Sequence, residues 1–191
     1  MGYSQADKAR SRQRILDMAA TQIREVGLAG VSIGELMKSA NLTHGGFYGH
    51  FASRDDLIAE ALDKALSDGE ASAARSGSVK GPRTLKSFLN SYLSKSHRDN
   101  LASGCAVSAL AGDAARADPR MRDIMSKHVG HYFDNIQTLL EDDSDREFAM
   151  SVMCMVVGAV TLSRVMQDYP MSDQILQNAR RTILDHAKSR E

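Results

Sequence analysis

The chain has 191 residues, with 24 basic and 24 acidic side chains, 42% hydrophobic residues, two cysteines and no tryptophan. That length supports one compact domain, or a small domain joined to a medium one, and the ordinary balance of apolar and charged residues excludes wholesale disorder. Cys105 and Cys154 cannot build a disulfide framework, and no CxxC or Cys/His cluster offers zinc ligands, so neither a metal nor a cofactor is expected. The opening residues are polar, unlike a signal peptide, and position 6 is Ala where a myristoylation start has Ser or Thr. The longest uncharged run, 16 residues from Phe148 to Ser163, falls short of the ~20 that span a bilayer. The expectation is a soluble, cytoplasmic protein with no membrane partner.

Zero net charge conceals an asymmetry. Residues 1–54 hold seven Lys/Arg against four Asp/Glu, whereas residues 55–191 hold 17 against 20. Lys8, Arg10, Arg12 and Arg14 crowd the amino end. A basic end on an acidic body suits contact with a polyanion, and it equally suits a solvated helix start.

Helical periodicity runs nearly the length of the chain. Ile15, Leu16, Ala19, Ala20, Ile23 and Val26 recur at three- and four-residue spacing, and Gly27 supplies the stop. Ser32-Ile-Gly-Glu35 is a capping box ahead of a short helix that turns Ile33, Leu36, Met37 and Ala40 inward. Asn41-Leu42-Thr43 breaks it, and a second short segment follows through Tyr48. Ser53-Arg-Asp-Asp56 opens a longer helix striped by Leu57, Ile58, Ala61, Leu62, Ala65 and Leu66. Ser76–Pro82 reads as a flexible connection. Beyond it, Leu85, Phe88, Leu89, Tyr92 and Leu93 form an amphipathic helix, and an alanine-rich segment runs from about Ser103 to Ala117. Asp118-Pro119 starts a long helix with Met121, Ile124, Met125, Tyr132, Ile136, Leu139 and Leu140 inward. Ser144-Asp-Arg-Glu147 caps the apolar Phe148–Met166 helix, Pro170 ends it, and Ile175, Leu176, Ala179, Ile183 and Leu184 stripe the last. No period-2 strand and no internal repeat intervenes. The fold class is all-α, with about nine helices.

The informative stretch is 32–54. A short helix, a turn and a second short helix place that second helix where it can enter a major groove. Thr43-His44-Gly45-Gly46-Phe47-Tyr48-Gly49-His50-Phe51 is a poor helix by propensity, but its glycines let the backbone approach a duplex closely. Thr43, His44, Tyr48 and His50 carry donors for phosphates and base edges. Ser32 and Arg54, at the starts of flanking helices, can add phosphate contacts. Leu42, Phe47 and Phe51 would fasten the motif to the first helix. By spacing alone, a generic helical hairpin with an aromatic cluster reads equally well.

Gly27, then Val31-Ser32-Ile33-Gly-Glu35-Leu36, then Ala40 through Phe51, then Ser53-Arg54-Asp-Asp-Leu57 closely resembles the DNA-binding region of TetR-family transcriptional regulators. The likeness covers roughly residues 10–62 without a gap. It implies a three-helix helix-turn-helix domain over residues 1–52 and a helical ligand-binding and dimerisation domain over residues 53–191. It places Thr43, His44, Gly45 and Tyr48 on the recognition helix and Ser32 and Arg54 at backbone-contact positions. A Lys or Ser often found on that helix is here His44 or glycine, which leaves the operator contact at that point open. The function implied is a homodimeric repressor that binds a palindromic, double-stranded operator and is released by a small-molecule effector. A helical interaction module without DNA binding is the alternative. An enzyme is not expected, since no triad, paired carboxylates or phosphate-cradling loop stands out.

The carboxy-terminal helices carry the remaining candidates. Phe88, Tyr92, Met125, His128, Tyr132 and Met153 are the candidates, with Cys105 and Arg164, for an effector site among the helices of residues 85–166. Met150, Met153, Met155 and Met166 suit either plain core or an adaptable pocket. His128 and His131 lie one turn apart with Asp134 another turn on, a metal-like face without a further ligand; none is assigned. Phe148–Met166 is apolar nearly all round, so with the last helix it suits a two-fold four-helix interface through Val156, Val160, Ile175, Ala179 and Ile183. The Gly-Cys pair at Cys105 resembles TetR-type repressors that respond to electrophiles and oxidants, and Arg164 falls where those carry a basic partner. A thiol at a helix amino terminus is favoured as thiolate, whereas Cys154, inside the apolar helix, would be desolvated and slow to react. A small buried cysteine that only packs is the other reading of Cys105.

Overall fold

The computed structural model describes residues 5–75, 83–140 and 146–189. Among them are nine α-helices, one 3-10 helix and no strand. α1 (Gln5–Val26), α2 (Ile33–Ser39) and the 3-10 helix (His44–Gly49) lead into α3 (Arg54–Arg75). There follow α4 (Leu85–Tyr92), α5 (Lys95–Asp99), α6 (Ala106–Arg116), α7 (Pro119–Gln137), α8 (Arg146–Val165) and α9 (Met171–Lys188). α5 is the element that periodicity does not reveal. Five residues are too few to show a stripe, and its start is marked only by Ser94, whose hydroxyl accepts from the His97 N–H. The Ser76–Pro82 connection and the cap at Ser144 lie outside the described residues.

Caps fix the other boundaries. Ser32 accepts from the Glu35 N–H, Ser53 from Asp56, Thr84 from Ser87 and Asp118 from Met121, each satisfying a first-turn donor that the helix itself cannot. Gly27 ends α1 at φ 77°, and a Cβ there would also meet Asp113 Oδ2 at 2.6 Å. The left-handed backbone is what favours glycine there; the Asp113 carboxylate, at the end of a flexible side chain, could give way.

α1 packs along α3, α3 continues onto α7, and α7, α8 and α9 pack in succession. The inward stripes are where the periodicity puts them: Ile15, Ala19 and Ile23 on α1, and Leu57, Leu62 and Leu66 on α3, are fully enclosed. Buried arginine joins the two halves. The Arg24 guanidinium donates to the carbonyls of Ala20, Ala65 and Ala102, so α1, α3 and the turn before α6 share one cation. Arg12 pairs with Glu60 at 2.6 Å, and Arg120 of α7 reaches Asp56 at the start of α3, also at 2.6 Å.

Four sequence expectations change. Val26 is exposed, because the chain reverses at Gly27 and nothing covers the last residue of α1. Val156, Val160, Ala179 and Ile183 are enclosed within the single chain, and Ile175 packs partly against the same core. They form the seam of α8 on α7 and α9, so they offer no free face to a second copy. The open apolar surface at that end is instead Leu162, Val165, Tyr169 and Met171. Cys154 points outward from α8, while Cys105 is the buried thiol. Of the methionines of α8, Met153 is core and Met150 and Met155 are half-exposed. α8 is long and apolar enough, by length and composition, to cross a membrane, and 44% of its apolar window is buried within the fold.

Candidate nucleic-acid interface and effector cavity

The 3-10 helix has two faces. Phe47 is fully buried, stacked on Phe51 with ring centroids 5.7 Å apart, and the Arg12 guanidinium lies over the Phe51 ring. Leu42 is partly buried beside them. On the other face Thr43, His44, Gly45 and Tyr48 are exposed, Tyr48 at 66%. A Cβ at Gly45 or Gly49 would meet nothing within 4 Å, so the backbone there is open to an approaching surface. Three glycines in six residues explain why the segment winds as a 3-10 helix rather than an α-helix. The His44 ring sits beside Gly34, which keeps the recognition segment against α2.

The flanking candidates divide. Ser32 is exposed at the start of α2, next to the first-turn N–H groups. His50 is half-buried; its carbonyl accepts from Arg12 Nε and its Nδ1 is buried without a partner. Burial, with Lys8 and Arg12 adding to it, pushes the His50 imidazole below its usual range. Arg54 turns inward: its guanidinium donates to the carbonyls of Leu28, Ala29 and Val31 and so holds the α1–α2 turn. Lys8, Arg10, Arg14 and Lys38 are exposed at this end, whereas Arg12 is committed to Glu60. The basic character of the amino end therefore survives in the fold.

At the other end a cavity of about 110 Å³ lies between α3, α4, α7 and the turn before α6. Phe88, Tyr92, Cys105 and Tyr132 line it, with Gly69, Ser72, Ser91, His97, Ser103 and Gly104. The latter six are small or polar residues off the apolar stripes, so periodicity gives no reason to single them out. Met125 and Met153 are packed in the core away from this lining, and His128 is engaged by α3 carboxylates. Arg164 stands behind Cys105 rather than in the cavity, donating to the carbonyls of Arg98 and His97 and to Ser108 Oγ.

The chemistry of this cavity is set by burial. Cys105 caps α6, and its N–H donates to His97 Nε2 at 3.0 Å. His97 Nδ1 meets the Tyr92 carbonyl at 2.6 Å, so the proton sits on Nδ1 and Nε2 is the bare acceptor. That neutral tautomer agrees with burial, aided by Arg164, holding the His97 imidazole below its usual range. Burial pushes both tyrosine phenols up, with the Cys105 thiol adding to each shift. The Tyr92 hydroxyl is buried without a well-formed hydrogen bond, although it faces the thiol. A buried hydroxyl left so is an invitation to a polar ligand atom.

Residues 15–61 match the family described as bacterial regulatory proteins, tetR family. An uncharacterized HTH-type transcriptional regulator of Mycobacterium tuberculosis is 27% identical over 91% of this chain and 94% of its own length. Among solved structures, a TetR-family regulator from Cytophaga hutchinsonii superposes with a TM-score of 0.77 at 23% identity, covering 97% of this chain and 98% of that one. A TetR regulator from Chloroflexus aurantiacus gives 0.80 at 21% identity, covering 96% of each. The motif that carries the sequence likeness is the two-faced turn just described, and the same fold extends over the rest of the chain. Residues 15–61 are thus a match to the DNA-binding region of TetR-family regulators, and the whole chain has the fold of solved members of that family.

Proposed function

We propose that the protein is a ligand-responsive repressor that binds a palindromic operator as a homodimer in the cytoplasm. One observation carries the reading: Thr43, His44, Gly45 and Tyr48 are exposed together on a turn whose opposite side, Phe47, is fully buried. Side chains spent on solvent by a turn this firmly anchored are available for a duplex. Residues 1–52 form the DNA-binding domain, and residues 53–191 the effector and dimerisation domain. Thr43 and His44 read base edges, Tyr48 and Ser32 contact phosphates, and Arg54 braces the α1–α2 turn behind Ser32. His50 supports the far end of the same turn.

The second copy covers Leu162, Val165, Tyr169 and Met171, apolar side chains that a lone chain leaves in water. The effector enters beside Cys105. A cavity of about 110 Å³ is smaller than the ~150 Å³ that admits benzene, so the effector is a small reactive molecule that modifies the thiol or an apolar one that opens the site. Selection of duplexes from a random library, followed by binding titrations across salt, tests the DNA-binding reading. The expected result is a palindrome bound with a steep negative salt slope, its sequence preference altered by changes at Thr43 or His44. Equal affinity for every duplex would overturn it.

A further inference from the structure

We propose that Glu70, His128 and His131 form a binding site for a divalent transition-metal ion, zinc in the first instance, that bridges α3 and α7. His128 is 4% exposed, with Nδ1 2.5 Å from Glu70 Oε1 and Nε2 3.0 Å from Asp63 Oδ1. The same Glu70 oxygen lies 3.4 Å from His131 Nδ1, and one donor atom from each of the three residues falls within 4.8 Å of the others. Four-coordinate zinc with bonds of ~2.0–2.1 Å sets its ligands about 3.3–3.4 Å apart. The His131–Glu70 spacing already meets that, and the His128–Glu70 pair needs to open by about 0.9 Å to admit the ion.

Asp63 is what raises this above a chance pairing. Both ring nitrogens of His128 lie within hydrogen-bond reach of a carboxylate; once an ion displaces the Nδ1 proton, Asp63, accepting from Nε2–H, holds the tautomer whose Nδ1 lone pair faces the ion. A carboxylate behind a histidine is the arrangement that orients metal ligands. His131 is half-exposed, so the site has an entry path and room for a water as fourth ligand. Two imidazoles and one carboxylate favour zinc and its transition-metal neighbours over magnesium or calcium, which prefer all-oxygen shells. The face of α7 alone does not reveal the site. Asp134, one turn beyond His131, pairs instead with Arg146 at 2.7 Å, and the third ligand comes from α3, 58 residues away in the chain.

The test uses the full, tag-free chain without DNA, so its outcome is independent of operator binding. Metal-stripped protein is titrated with zinc against a chromophoric chelator, and cobalt(II) reports the geometry by absorption. The expected result is one zinc per chain at micromolar affinity or tighter, tetrahedral cobalt bands, and a melting temperature raised by zinc. His131→Ala and Glu70→Gln, both at partly exposed positions, should each weaken binding at least tenfold with helicity unchanged. Asp63→Asn should weaken it about 10- to 100-fold while keeping one ion per chain. Absence of micromolar binding, unchanged affinity in His131→Ala and Glu70→Gln, or a thiolate-to-cobalt charge-transfer band would overturn the proposal.

Discussion

Phe47→Ala and Tyr48→Phe are adjacent substitutions that should act on different properties. Phe47 has no exposed surface and two aromatic neighbours, Phe51 stacked at 5.7 Å and Tyr48 edge-on at 5.3 Å. Truncating such a side chain to Ala costs about 3–5 kcal/mol, including roughly 0.5–1.5 from the aromatic contacts. Against a total of about 5–15 kcal/mol, that loosens the whole motif, so stability and operator affinity should fall together. Tyr48 is 66% exposed, and removing one hydroxyl from a surface ring should move stability by less than ~0.5 kcal/mol. A hydrogen bond to a charged phosphate is worth about 1.5–3 kcal/mol, so each half-site should lose roughly 10- to 150-fold in affinity. The chain has no tryptophan, so urea unfolding is followed by far-UV circular dichroism and operator binding by anisotropy of a labelled duplex. The reasoning is refuted if Phe47→Ala costs under ~1 kcal/mol. It is refuted equally if Tyr48→Phe destabilises the protein and leaves affinity untouched.

Leu162→Asp or Val165→Asp should shift light scattering toward monomer with helicity retained, whereas Val160→Asp, at a fully buried position, should unfold the chain. His97 is held neutral below its ordinary value of 6.5 by burial, so the unfolded chain takes up that proton first. The stability it supplies is complete above pH 6.5 and is lost as pH falls through the depressed value; His97→Gln should flatten this limb of the urea midpoint against pH. Thiol labelling should show a fast phase from exposed Cys154 and a slow one from Cys105, removed by Cys154→Ser and Cys105→Ser respectively. Operator release that follows the fast phase would rule out Cys105 as the sensing thiol.

The helices were legible because capping and periodicity are local. Asp118-Pro119, Ser32 and Ser53 announce starts that the hydrogen bonds of the fold satisfy. The turn at 43–51 was legible through its resemblance to a known family, since by spacing alone its aromatic pair and glycines suited a generic helical hairpin equally well. What the chain order hides is which side of an all-apolar helix meets its own neighbours. Val160 and Leu162 are equally apolar by composition, yet one is fully buried against the core and the other is 57% exposed. Only the docking of α7 and α9 decides between them. The cavity was half legible for a related reason: Phe88, Tyr92 and Tyr132 lie on stripes and Cys105 stands out by its Gly-Cys pair, but Gly69 and Ser72 are contributed by the polar side of α3. Glu70 beside His128 is likewise a tertiary fact, with no local signal to mark it.

α3 gives the two ends of the molecule a common part. It begins at Arg54, five residues beyond the recognition turn, and its 22 residues extend roughly 33 Å at 1.5 Å per residue. Arg12, Arg24 and Arg120 pin its near half to α1 and α7 through Glu60, the Ala65 carbonyl and Asp56. Its far half passes Tyr132 so closely that a Cβ at Gly69 would stand 2.7 Å from the phenol oxygen. Gly69→Ala therefore forces Tyr132 or α3 to move, and in the proposed function a molecule in the cavity presses on the same two elements. The substitution gains about 1 kcal/mol of helix propensity, which offsets the strain, so the chain should stay folded. Operator affinity should nonetheless fall by the 5- to 150-fold typical of coupled sites. Tyr132→Phe removes the clashing oxygen, so the double variant should recover most of the loss. If Gly69→Ala binds operator like the wild type, or if Tyr132→Phe fails to rescue it, the signal does not travel along α3.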